Sequence, residues 1–147
     1  MQFSTKTRYG ARALVELACA WPDRTVSVRE MALGQRISHK YLGQIMSALK
    51  AAGMIKAVRG VHGGYELARP PSEITLGQIF RILEGSAAPV ECVDKPGSCQ
   101  LEPICPTHDS WIQVKDAIEG VLDSTTLQDL ARRKRSKAAA AGLTYQI

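Results

Sequence analysis

Cys92, Cys99 and Cys105 lie within fourteen residues, and His108 follows three positions after the last of them, giving the pattern C-x6-C-x5-C-x2-H. Three soft thiolates and one imidazole suit zinc, or an iron–sulfur centre with a single histidine ligand. The spacing is looser than the paired C-x2-C knuckles of structural zinc sites, and it lacks the tight C-x2-C-x2-C run of small ferredoxins. The plain alternative is a set of buried or solvated cysteines beside a helix-capping histidine. Cys19, the fourth cysteine, falls on the apolar side of a helical pattern and reads as a small core residue. A reducing cytosol is the expected setting, because the first 21 residues only loosely resemble a secretory signal. Glu16 interrupts their apolar stretch. The expected location is therefore cytoplasmic, with no membrane partner, since no apolar run approaches the ~18 residues a span requires.

The elements that must position these groups can be read from period and punctuation. Tyr9, Ala13, Leu14, Leu17 and Ala18 recur at helical spacing and predict a helix from near Thr5 to Ala20. Ser27 and Glu30 form an S-x-x-E capping box, with Val26 and Met31 as its staple, opening a short helix that ends near Gln35. Ser38 caps a third helix, on which Leu42, Ile45, Met46 and Leu49 make the apolar stripe and Gly53 the stop. Met54–Arg59 and Tyr65–Ala68 read as two strands around a Gly-rich turn. Thr75 and Gln78 make a second capping box, stapled by Ile74 and Ile79, for a helix ending at Gly85. Residues 86–106 carry four prolines and no clean period, and a loop of that length in a small domain is usually functional or disordered. Beyond it Trp111, Val114, Ile118, Val121 and Leu122 form an apolar stripe on a helix of about four turns. A last short helix starts at Thr126.

The expected fold class is mainly α with a small β-hairpin wing: a winged helix-turn-helix followed by a long C-terminal helix, which the resemblance given below makes a dimerisation helix. The expected divisions are a winged helix-turn-helix domain at 1–84, a cysteine loop at 85–106 (cluster-binding by that resemblance), the long helix with a short last helix at 107–131, and a basic, disordered tail at 132–147. A generic α+β domain that binds no nucleic acid has the same order of elements.

Charge is segregated along the 147 residues. Residues 1–75 hold 11 Lys/Arg and 5 Asp/Glu, residues 76–130 hold 3 and 9, and residues 131–147 hold 5 and none. A basic first half beside an acidic middle fits one part meeting a polyanion and another kept off it. The aromatic share of 5% disfavours single-strand binding through stacked rings. A helix-turn-helix sets the start of its second helix in the major groove. Here that start offers Ser38, His39, Lys40, Gly43, Gln44 and Ser47. The amide of Gln44 suits adenine, Lys40 suits guanine or phosphate, and Ser38 with its neighbouring backbone N–H groups suits phosphate. Arg59, Gly60 and His62 at the hairpin turn suit the narrow minor groove. Lys6 and Arg8 read as phosphate contacts or plain surface charges. No substrate pocket, phosphate loop or nucleophile–base pair is evident, so neither an enzyme nor a small-molecule substrate is expected.

Several separate stretches resemble the cluster-sensing winged-helix regulators of bacteria, the Rrf2 family with its IscR, NsrR and RirA types. They are S-T-K-T-R-Y-G at 4–10, I-S-H-K-Y-L-G-Q-I at 37–45, A-G-M-I at 52–55, V-R-G-V-H-G-G-Y at 58–65, I-T-L-G at 74–77 and C-P-T-H-D-S-W at 105–111. The resemblance spans about residues 1–130 and looks most like the iron–sulfur assembly regulator branch. It implies a repressor whose operator affinity follows a 2Fe–2S cluster on Cys92, Cys99, Cys105 and His108, sensing iron, cluster supply, redox state or nitric oxide. A 4Fe–4S cluster is the alternative, and zinc a less favoured one. In the nitric oxide branch an acidic residue near the first helix completes the site; Arg8 stands there and cannot ligate as a cation. The resemblance further implies a homodimer, joined through Trp111, Val114, Ile118, Val121 and Leu122, on a pseudo-palindromic double-stranded operator. A cluster-free regulator of the same fold, responding through thiols or zinc, is the alternative function.

Overall fold

A computed structural model describes residues 2–142. Helix α1 (Thr5–Ala20) runs over the predicted range and buries Gly10, Ala13, Leu14 and Leu17. Helix α2 (Val28–Gln35) starts at Ser27, whose hydroxyl accepts the Glu30 N–H at 3.1 Å. The reciprocal half of that expected box is not made. The Glu30 carboxylate pairs with Arg24 at 3.0 Å, and a charged guanidinium outcompetes one backbone N–H. Val26 and Met31 are both buried, as a staple requires. Helix α3 (His39–Ala51) is capped by Ser38 and stops at Gly53, which takes φ +77°.

Strands β1 (Ile55–Val58) and β2 (Gly64–Leu67) pair antiparallel with Ile55 opposite Leu67 and Val58 opposite Gly64. The first is one residue shorter at each end than predicted, and the second has the predicted length but starts one residue earlier. Val26 adds a bridge to Tyr65, exchanging both backbone bonds at 3.0 and 2.9 Å, so the entry to α2 fastens the hairpin. A Cβ on Gly64 would sit 2.7 Å from the Val26 carbonyl, which explains a glycine there.

Helix α4 (Leu76–Leu83) opens with the full Thr75–Gln78 capping box, and Ile74 and Ile79 beneath it are completely buried. Helix α5 (Glu91–Asp94) and a 3-10 turn at Glu102–Ile104 give the cysteine loop two short elements where none was expected. Helix α6 (His108–Ser124) follows, and helix α7 (Leu127–Ala140) starts with its own box from Thr126 and Asp129. The tail expected to be disordered from residue 132 is helical to Ala140. Ala131 and Ala138 of α7 are buried, α7 lies along α1, and Lys134 pairs with Glu16 while Arg135 donates to the Cys19 carbonyl. Residues 143–147 lie outside the described residues. A second bridge, Thr75 with Thr126, ties the starts of α4 and α7 together through two 2.8 Å bonds.

One core joins α1 to α4, the hairpin and α7. A smaller cluster of Phe80, Ala87 and Leu122 joins α4 to α6. Arg81 pairs with Asp123 at 2.7 Å across the same contact, where a Cβ on Gly77 would collide with Asp123.

Candidate nucleic-acid interface and cysteine centre

The apolar stripe of α3 is consumed by the core: Leu42, Ile45, Met46 and Leu49 are each at most 1% exposed. The opposite face carries exposed His39, Lys40, Gln44 and Ser47, with Gly43 half-buried among them. The Ser38 hydroxyl accepts the Tyr41 N–H at 3.0 Å, so that oxygen is already engaged as a cap. Thr5 reaches Tyr41, hydroxyl to hydroxyl, at 3.1 Å, and the Tyr9 and Tyr41 rings meet edge to face at 6.1 Å. These contacts set the start of α1, with exposed Lys6 and Arg8, beside the start of α3. The hairpin turn presents exposed Arg59, Gly60 and His62 and a Val61 that is 98% exposed. Gly60 takes φ +121°, open to glycine, and Thr25 pins the tip by donating to the His62 carbonyl at 2.6 Å.

The first turn of α1 is held from behind. Ser4 caps α1 and donates from both its backbone N–H and its hydroxyl to Glu84, the latter at 2.7 Å; Thr7 donates to the same carboxylate. The Ser4 and Thr7 hydroxyls hold Glu84 below the usual carboxylate range. Phe3 packs edge-on against Phe80 of α4 at 4.9 Å. Sequence reasoning missed Glu84, Thr5 and Tyr41. The S-T-K-T-R-Y-G run was visible, but its partners 36 and 80 residues away were not.

In the loop, Cys92 on α5 and His108 at the start of α6 come together, Sγ to Nδ1, at 3.5 Å. Glu102 faces the other ring nitrogen at 3.8 Å, a neighbour that the sequence reading also missed. Cys105 Sγ lies 3.3 Å from the Thr107 hydroxyl; hydrogen bonds from that side chain and from the Thr107 backbone push the thiol's pKa down. Cys99 is exposed. Among the described residues no three His, Cys, Asp or Glu side chains converge as a ready metal site. The sequence expected four ligands, and the fold brings two of them into contact. Cys19 sits on α1 half-buried, with its thiol pushed up by burial, as its core reading implied.

The stripe on α6 divides. Leu122 is only 7% exposed and packs in its own protomer on Phe80 and Ala87, with Ile118 beside it. Those two were expected at the dimer face; the α4–α6 contact uses them instead. Trp111, Ile112, Val114 and Val121 remain exposed, Val121 at 65%.

Residues 3–133 match the family model Rrf2, described as an iron-dependent transcriptional regulator. The chain belongs to the Rrf2 family. It is 41% identical to the transcriptional regulator CymR of Bacillus subtilis (strain 168) over 131 residues, 89% of this chain and 90% of that one. Among solved structures, CymR of B. subtilis, described as its global cysteine regulator, superposes with a TM-score of 0.78 at 39% identity, covering 90% of this chain and 98% of that one. The IscR of T. potens gives 0.75 at 37% identity, covering 100% and 94%. The Rrf2 relatives are transcriptional regulators rather than enzymes, and the helix-turn-helix and hairpin described here are their winged helix. Among the described residues no helix is long and apolar enough to cross a membrane.

Proposed function

We propose that this Rrf2 regulator binds a pseudo-palindromic operator as a homodimer, and that an iron–sulfur centre on Cys92, Cys99, Cys105 and His108 sets its affinity. The observation that carries the reading is the 3.5 Å approach of Cys92 to His108. It joins the two ends of the loop, and Cys105 lies one turn before His108. The donor set fits the group in chemistry, since thiolates and a neutral imidazole are iron–sulfur ligands. Nδ1 is the ring nitrogen that faces Cys92, and Glu102 stands 3.8 Å from Nε2 on the other side of the ring. Cys99 stands on exposed chain and completes the set only when residues 96–101 fold inward. Such a centre supplies a redox- and iron-responsive bond set, and the protein's part is to turn loop order into helix position.

Lys40, Gly43, Gln44 and Ser47 on α3 meet base edges in this reading. Arg59, Gly60 and His62 enter the minor groove, and Ser38, Lys6 and Arg8 hold phosphates through backbone N–H groups and charge. Exposed Trp111, Val114 and Val121 on α6 meet the same face of a second copy, because a two-fold contact pairs one apolar patch with itself.

The test is protein purified without air. The expected result is visible charge-transfer absorption, iron and sulfide in equal amounts, and operator affinity that changes when the centre is removed. Colourless protein without iron after reconstitution would reject the reading.

A second reading rests on the depressed thiol of Cys105 and the likeness to CymR: a cluster-free regulator switched by thiol oxidation. Cys105→Ser separates the two. In the second reading it abolishes the response to oxidant in protein that never held iron.

A further inference from the structure

A groove of about 540 Å³ runs between α1, the end of α2 and α7, well away from the cysteine loop. Its walls carry Arg12, Arg36, Arg133, Lys134 and Lys137, and one acid, Glu16. Glu16 is taken by Lys134. Asp129, the nearest acid on α7, is taken by its own capping box through the Thr126 N–H at 3.0 Å. Arg36, Arg133 and Lys137 form no ion pair among the described residues. With Arg12, which also lacks an ion pair, four cations therefore face one groove with no salt-bridged carboxylate among the described residues, and such a field concentrates anions.

Two further features distinguish this groove from a merely basic surface. Val15 and Leu130 line it, and its lining is more apolar than polar, as small-molecule sites are. Gln35 also borders it with an unmet hydrogen bond. Arg12 Nε donates to Gln35 Oε1 at 3.4 Å, and because a guanidinium only donates, this fixes which end of the amide is oxygen. The Nε2 group is then buried with no partner. An unsatisfied buried donor is unfavourable, and a small turn of the Gln35 side chain toward an acceptor in the groove would relieve it.

From these observations we infer that the α1–α2–α7 groove binds a small amphiphilic organic anion, with a carboxylate or phosphate head on a short apolar body. The head meets Arg36, Arg133 and Lys137 and accepts from Gln35; the body lies on Val15 and Leu130. The site is independent of the iron–sulfur reading. It also gives a role to Arg133 and Lys137 of α7, which form no ion pair among the described residues. Gln35 ends α2 and Arg36 is its left-handed cap at φ 56°, two residues before Ser38 caps α3. An occupant therefore sits against the turn of the helix-turn-helix.

The experiment titrates the full-length, isotope-labelled protein with hexanoate, with hexanamide as the neutral match and inorganic phosphate as the head alone, following backbone amide resonances. Hexanoate is expected to give saturable shifts confined to residues 34–36 and 130–137, hexanamide none, and phosphate weaker shifts at the same positions. Arg133→Ala with Lys137→Ala is expected to weaken hexanoate binding at least tenfold while thermal unfolding stays unchanged. Gln35→Leu, which removes the donor and keeps the bulk, is expected to weaken it several-fold. Any of three results overturns the proposal. One is the absence of saturable shifts. Another is equal shifts from phosphate and hexanoate spread over the hairpin and α3. The third is a double variant that loses operator affinity yet binds hexanoate as before, which would make these cations contacts to the DNA backbone.

Discussion

Glu84→Gln tests how the start of α1 is held. The carboxylate collects the Ser4 hydroxyl at 2.7 Å, the Ser4 N–H at 3.2 Å and the Thr7 hydroxyl. Hydrogen bonds to a charged acceptor contribute roughly 1.5–3 kcal/mol each when dry. Glu84 is only half-buried, and the amide keeps one acceptor oxygen, so solvent and that oxygen reduce the net loss to about 1 kcal/mol. The pH dependence has a definite sign. The Ser4 and Thr7 hydroxyls lower the folded pKa of Glu84, so its contribution is complete above the ordinary glutamate value, ~4.3, and is lost as pH falls through the lowered folded value. The amide of the variant has no proton to gain. The urea midpoints of parent and variant should differ at neutral pH and converge in acid. A gap of constant size across that range would show that the charge is not what stabilises the contact. Ser4→Ala, which removes the cap as well, should cost more than Glu84→Gln and retain part of its deficit in acid.

Gly10→Ala should destabilise by roughly 1–3 kcal/mol although alanine is the better helix former, because its Cβ would stand 2.3 Å from Leu83 Cδ1. A raised urea midpoint would mean that Leu83 does not pack against Gly10. Gly43→Ala meets nothing within 4 Å, so it should stabilise the fold by up to about 1 kcal/mol while lowering operator affinity, and only a DNA-facing Gly43 gives that divergence. Arg59→Ala and Lys40→Ala should each weaken operator binding in fluorescence anisotropy and flatten its salt dependence; affinity indifferent to both would remove α3 and the wing from the interface. Arg81→Ala should loosen the α4–α6 contact by a few tenths of a kcal/mol, read in denaturation, since the pair with Asp123 is nearly half exposed.

The first 85 residues were the most legible part of the chain, because their signals are local. The Ser38 cap, the Thr75–Gln78 box and the left-handed stop at Gly53 all act within a turn of where they are written. The motif glycines were visible without their reasons. Gly10 gives way to Leu83, Gly64 to the Val26 backbone and Gly77 to Asp123, each a partner more than 35 residues distant. The tail was misread for the converse reason: a run of Arg, Lys and Ala has no marked period. Yet α1 offers Glu16 to Lys134, and the small Ala131 and Ala138 let α7 lie close. The α6 stripe was read as a single face, when Phe80 takes Leu122 and leaves Trp111, Val114 and Val121 uncovered. In the loop, spacing located the donors. It could not show that Cys92 and His108 already touch while Cys99 stands apart.

That division of α6 bears on how a loop can govern a distant helix. The cysteine loop leaves from α4 immediately after Glu84, the residue that holds Ser4 and Thr7 of α1, and it returns at His108, the first residue of α6. The two helices it joins are locked by Phe80 against Leu122 and by Arg81 against Asp123. A change in the span between Cys92 and Cys105 therefore cannot be absorbed by the two flanks sliding apart. In the proposed reading it tilts the N-terminal half of α6, which touches α5 and exposes Trp111 and Val114, or strains the Glu84 contact under α1. In the proposed dimer the first would alter the spacing of two recognition helices, and the second would alter the seat of Lys6 and Arg8 beside α3. On that reading both lead to the proposed DNA face, and packed helices move between discrete arrangements more readily than they deform.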